Sequence, residues 1–196
     1  GMETALPHVS ATRNQFGIEI TRLDMKLLSD MLTKKSYDER ELLKLKKWIK
    51  SNCLKIEIPK ETDEDNLDKS LALYLIVRDM MKELNAVGGG FMSQLEWGSD
   101  SRGIPLPVAD IMESLFNSTF DHNGPKEVIP YATEADVQAL LTQLFMTWLS
   151  GGNPPLFMDF RKVWEPNEIK EFAKQNKVKL TGKSTWEKKG FVDGVN

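Results

Sequence analysis

Apolar residues recur along most of this chain at spacings of three and four, the period of an amphipathic helix, and run together in only a few short stretches. Thr21 and Asp24 form a capping pair ahead of a first helix whose Leu23, Leu27, Leu28, Met31 and Leu32 share one face. Ser36 opens a second helix that runs to Asn52, with Asp38 and Glu39 near its start and Lys46, Lys47 and Lys50 near its end, as the macrodipole prefers. The lysines read as a solvated helix face in preference to a phosphate site. A third helix, from about Leu67 to Leu84, is apolar on nearly every side (Leu71, Leu73, Tyr74, Leu75, Ile76, Val77), which predicts burial under a sheet. A fourth spans Pro107 to Ser118 with Ile111, Leu115 and Phe116 inward, and a last one starts at Pro166 and continues to about Asn176. The acidic, apolar-poor residues 55–66 read as a loop, and Phe16 to Ile20 is compatible with a short strand.

The stretch from Glu127 to Trp164 has a different rhythm: an apolar run Val128, Ile129, Pro130, Tyr131, then a helical stripe, then a second run Leu156, Phe157, Met158 ending in Asp159. The stripe carries Val137, Leu140, Leu141, Leu144, Phe145, Trp148 and Leu149, wide enough to cover a sheet. Thr133 is placed to cap that helix with Asp136 returning the bond, and Gly151, Gly152, Asn153 and two prolines end it. This is a βαβ unit, whose crossover makes the strands parallel. The expected architecture is therefore a three-layer α/β/α domain with a mostly parallel, Rossmann-like sheet. Residues 21–84 form a helical lead-in, 85–176 the core and 177–196 a tail, within one domain of residues 1–196.

Parallel strands put their carboxyl ends on one edge, where open α/β sheets bind ligands. Glu134 lies just past the first strand and Asp159 at the end of the second, so the two carboxylates are expected in one crevice at roughly 5 to 10 Å. Such a pair suits a hard divalent cation or proton transfer. The same residues also fit a plainer account, Glu134 favoured by the helix dipole and Asp159 as a cap. Upstream, Gly88, Gly89 and Gly90 allow a close backbone approach but lack the lysine and hydroxyl residue of a phosphate loop. His122, in the turn Asp121 to Gly124, is expected at the surface and outside the site.

Composition changes this picture little. The 196 residues are 40% hydrophobic and 28% charged with a net charge of −3, so electrostatic adhesion to nucleic acid or an anionic membrane is not expected. The single cysteine, Cys53, excludes an internal disulfide and fits a reducing, cytoplasmic location. No apolar run reaches the roughly 20 residues that span a bilayer, and the start of the chain has no signal-peptide pattern.

Several motifs in order, GGFMSQLEW (89–97), ESLFNSTFDHNG (113–124), ATEAD (132–136), LFMDFRKVW (156–164) and WEKKGFVDG (186–194), resemble the L-fucose isomerase family, over nearly the whole chain. The resemblance implies a metal-dependent aldose-ketose isomerase, acting on L-fucose and D-arabinose through an ene-diol. It makes Glu134 and Asp159 two of three protein ligands of a Mn²⁺ ion, with Mg²⁺ as the second choice, and the residues that shuttle the proton. The third ligand is a histidine of the family's C-terminal domain. Since that domain is not in this sequence, the isolated chain is expected to lack a complete site; neither His8 nor His122 matches the histidine's motif. Gln94 is the candidate substrate-contacting glutamine, although Met92 and Glu96 stand where the family repeats glutamines, and a purely structural loop there is the alternative. Homo-oligomers, hexamers in the family, are implied. The alternative of another class is a non-catalytic sugar-binding or assembly module of the same fold.

Overall fold

The computed structural model describes residues 8–58, 60, 63–92, 97, 104, 108–155, 159–177 and 191–195, with side chains described for all of these except 133, 159–162 and 191–195. Two compact units divide at Pro155, residues 1–155 and 156–196.

In the first unit the helices start where a carboxylate can receive their unpaired amides. Helix α1 (Val9–Phe16) ends at Gly17, whose φ of 68° closes it in the left-handed conformation, so the short strand expected over Phe16 to Ile20 is not formed. Asp24 accepts from the Lys26 amide to open α2 (Met25–Thr33), and Asp38 accepts from Arg40 and Glu41 to open α3 (Glu39–Asn52). Asp63 caps α4 (Glu64–Glu83), which is buried without interruption from Ser70 to Val77. That burial is against α2, α3 and α5 (Val108–Phe116), in a helical core with Leu45, Phe91, Trp97, Met112 and Tyr131, and not beneath a sheet. Lys46 pairs with Asp68 at 2.8 Å and Lys50 with Glu64 at 3.2 Å, so two of the basic residues of α3 fasten it to α4.

The hairpin β1 (Phe120–Asp121) and β2 (Gly124–Pro125) follows α5 and is antiparallel. Residues 128–132 then join no sheet among the described residues, where their parallel pairing is a single bridge, Gly89 to Tyr131. The reason is local. Pro130 has no amide to donate, the Ile129 amide bonds Phe116, and the Tyr131 amide bonds the Asn117 side chain. The run therefore docks on the end of α5 instead of pairing as a strand. A 3-10 turn (Thr133–Ala135) leads into α6 (Val137–Leu149), and Asp136, not Thr133, is its cap, accepting from Gln138 and Ala139. The buried face of α6 is Gln143, Leu144 and Thr147, while Trp148 and Leu149 of the expected stripe are exposed. Gly151 and Gly152 end the helix with φ of 71° and 95°.

The second unit holds β3 (Asp159–Trp164) paired antiparallel with β4 (Phe191–Val195), and α7 (Pro166–Gln175) between them in sequence. Glu168 returns to the Glu165 amide at 2.9 Å, and Phe172 packs on Trp164 at 5.9 Å. The chain is thus mixed α/β, mostly helical, with small antiparallel ladders. Among the described residues the mostly parallel Rossmann-like sheet is not formed, and no helix is long and apolar enough to cross a membrane.

Candidate functional site

Of the sequence-predicted site residues, Glu134 is the one whose side chain is among the described residues. The segment leading to it is gripped from two sides. Asn117, just past α5, donates its amide to the Tyr131 carbonyl at 3.0 Å and accepts the Tyr131 amide at 3.1 Å. The Tyr131 ring stacks on Phe116, with centroids 4.9 Å apart and planes 12° apart, and meets Phe91 edge-on. Burial pushes the Tyr131 phenol well above its ordinary pKa, with Glu113 adding to the shift, so it stays protonated at any working pH. On the other side Gly89 accepts from the Ala132 amide at 2.8 Å and donates to Pro130 at 3.0 Å. Lys126 tightens the approach, donating to the carbonyls of Phe116 at 2.9 Å and Ser118 at 2.5 Å.

Beyond this clamp the backbone bends sharply. Glu134 sits at φ 53° and ψ 22°, and Ala135 at φ 52°, two consecutive non-glycine residues in the left-handed region. Each costs on the order of 1 kcal/mol and persists only where its surroundings over-determine it. Glu134 is partly buried, and among the described residues its carboxylate has no hydrogen bond or ion pair. A carboxylate held this firmly by main chain, with its oxygens free, suits a hard cation or a mobile proton.

The other two predicted residues are less fully placed. Asp159 is the first described residue of β3 and pairs with Val195; the run 156–158, which was expected to form the strand ending at it, lies outside the described residues. So do the Asp159 side chain and Gln94. Glu134 and Asp159 belong to different compact units. Among the described residues no three metal-binding side chains gather.

A second polar cluster was not anticipated. His122, expected at the surface, has a fully buried side chain. Its Nε2 lies 2.9 Å from Oε1 of Glu41, which Arg78 grips with both guanidinium nitrogens at 2.5 and 2.9 Å. Nε2 donates to the carboxylate, and the Asn123 amide therefore directs its own donor to the same Oε1 at 3.1 Å, since two donors cannot satisfy each other. His122 Nδ1 has no hydrogen-bond partner among the described residues and stands 3.9 Å from Asp121, which accepts from the Tyr74 hydroxyl at 3.3 Å. The Arg78 guanidinium, helped by His122 and Asn123, holds the Glu41 carboxyl at about 2, well below the usual carboxylate range. One sequence signal did point here: Arg78 follows directly on the continuous apolar run of α4, and a charge beside such a helix needs a partner.

Comparison with known proteins agrees with the motifs. A family model described as L-fucose isomerase, second N-terminal domain, matches residues 1–151. An L-fucose isomerase of Clostridium perfringens is 27% identical over 96% of this chain and 34% of its own length. Those of Salmonella choleraesuis and Salmonella typhi are each 29% identical over 81% of this chain and 30% of their own length. The chain spans about a third of the length of these curated relatives.

Proposed function

Because the chain belongs to the L-fucose isomerase family, as its second N-terminal domain, we propose that it contributes two carboxylates, Glu134 and Asp159, to the site of a metal-dependent aldose-ketose isomerase. The substrate class is an open-chain aldose such as L-fucose or D-arabinose, converted to L-fuculose or D-ribulose. The observation that carries this reading is the Glu134 carboxylate, without a partner among the described residues, on a backbone turn in the left-handed region. Glu134 fits a metal ligand for that reason, and Asp159 is assigned with it on its motif, Phe157 to Arg161. Bound Mn²⁺, or Mg²⁺ in its place, would polarise the sugar carbonyl and offset the charge that develops on its oxygen.

The chain's own part is proton movement and orientation. One of the two carboxylates removes the proton from C2 of the aldose and returns it to C1, while the hydroxyl proton passes from the C2 oxygen to the C1 oxygen, so that the ene-diol between them collapses to the ketone at C2. Gln94 would hold a sugar hydroxyl through its amide. A parallel sheet larger than the single Gly89–Tyr131 bridge, a cytoplasmic location and assembly as a homo-oligomer belong to the same proposal, as does a third ligand, the histidine of the family's C-terminal domain.

A thermal-shift titration with Mn²⁺ tests it. Stabilisation of the wild-type chain that disappears in Glu134→Gln and in Asp159→Asn is the expected result, through binding to the folded state. Equal stabilisation of all three proteins would remove both residues from the site. Stabilisation by sugar with no metal present would favour a binding module without chemistry.

A further inference from the structure

We propose that Gly90 is a positioning residue for the Glu134 carboxylate: the absence of a side chain at residue 90 is what lets the turn from Ala132 to Ala135 close into the conformation that aims Glu134. This rests on the reading of Glu134 as a metal ligand, but its geometric core stands on its own. A Cβ at residue 90 would lie 2.5 Å from the Ala132 carbonyl oxygen and 2.9 Å from the Ala135 Cα. Both are main-chain atoms flanking Glu134, and neither can rotate away. Ala132 is tied to Gly89 through its amide, and Tyr131 before it is tied twice to Asn117. A methyl group at residue 90 therefore has to push the turn itself.

The neighbouring glycine behaves differently. A Cβ at Gly89 would meet the edge of the Tyr131 ring at 3.0 Å and the Met81 methyl at 3.3 Å, side-chain atoms and not the main chain of the turn. Gly89→Ala is thus a matched control, adding the same methyl one residue away without pressing on the turn. The left-handed conformations at Glu134 and Ala135 strengthen the argument, since a turn costing strain at two residues relaxes once the contact that holds it is displaced.

The experiment compares Gly90→Ala with Gly89→Ala in the whole chain. Far-UV circular dichroism reports folding, Mn²⁺ affinity is read from water-proton relaxation, and NMR of residues 134 and 135 reads their strong intraresidue Hα–HN contact. We expect Gly90→Ala to stay folded, to lose the left-handed signature at Glu134 and to bind Mn²⁺ about tenfold or more weakly, as loss of a supporting contact does at metal sites. Gly89→Ala keeps both readouts at the wild-type level. A folded Gly90→Ala that keeps the left-handed signature and wild-type Mn²⁺ affinity overturns the proposal. If the wild-type chain shows no Mn²⁺ binding that Glu134→Gln abolishes, the metal reading fails by itself, and the NMR comparison alone decides whether Gly90 sets the turn. If Gly90→Ala does not fold, even in sucrose, which favours compact states, Gly90 supports the whole core and the specific claim for the turn is lost.

Discussion

Glu41 and Glu134 are both partly buried glutamates in the first compact unit, yet they are held in opposite ways. Glu41 has its oxygens taken up by Arg78, His122 and Asn123, on a helix of ordinary geometry. Glu134 has no side-chain partner among the described residues and rides on two strained backbone positions. A carboxylate with both oxygens engaged by side chains fastens elements together; one positioned only through its main chain stays available to a ligand. The contrast separates a structural acid from a candidate chemical one without appeal to sequence likeness, and mutations should divide along the same line.

The largest effect is expected at the Glu41 cluster. Arg78→Ala leaves Glu41 facing His122 and Asn123 with no countercharge, and breaking a buried pair from one side costs about 3 to 5 kcal/mol. Both side chains are 23% exposed, so the lower end of that range applies. Urea unfolding followed by far-UV circular dichroism, which reports chiefly the helices of the first unit, should show the loss. A loss below about 1 kcal/mol, the range of a surface pair, would make the cluster peripheral and end the comparison.

The second effect depends on pH. The folded carboxyl of Glu41 titrates at about 2 against 4.5 as its ordinary value. Because the folded value is the lower one, the stabilisation is complete above pH 4.5 and is lost as pH falls from there through 2. The difference amounts to roughly 2 to 3 kcal/mol after a discount for partial exposure. In Glu41→Gln the acid limb of the stability curve should flatten over that window. Unchanged acid sensitivity would place the responsible group elsewhere.

The two regions also differ in how far they could be read in advance. Local chemistry was legible to within a turn: α3 opens at Asp38, two residues past the expected Ser36, Gly151 and Gly152 close α6, and the buried length of α4 follows from its all-round apolar content. Partners distant in sequence were not. His122 is drawn inside by Glu41, 81 residues away, and no spacing rule connects them. The run Val128 to Tyr131 carries a strand's composition, but Asn117 and Phe116 take the amides a neighbouring strand would have used. Glu134 could be named a candidate from its place after an apolar run, while its left-handed backbone was invisible, because glutamate has no preference for that region and the surroundings impose it.

A smaller effect tests the strain directly. Glycine adopts a φ of 52° without penalty, so Ala135→Gly should stabilise the first unit by about 0.5 to 1 kcal/mol, the relief of strain less the added freedom of the unfolded chain. A loss of similar size would mean that the turn is not strained at that residue.

The smallest change is expected from Glu134→Gln. The substitution keeps size and backbone and removes only the charge, and no described group depends on that charge. Its effect on stability should lie within about 0.5 kcal/mol, the range of a surface substitution away from any special feature, although the residue is partly buried and near the core. Glu41→Gln, the same chemical change, should cost several times more at neutral pH because Arg78 loses its bidentate carboxylate and keeps only the more exposed Asp79. Equilibrium unfolding of the two variants side by side measures the difference. A cost above about 1 kcal/mol for Glu134→Gln would reveal a structural partner and make the two acids alike. A small gain would point the other way, since a carboxylate kept without partners at a loss to stability is what a site retained for binding requires.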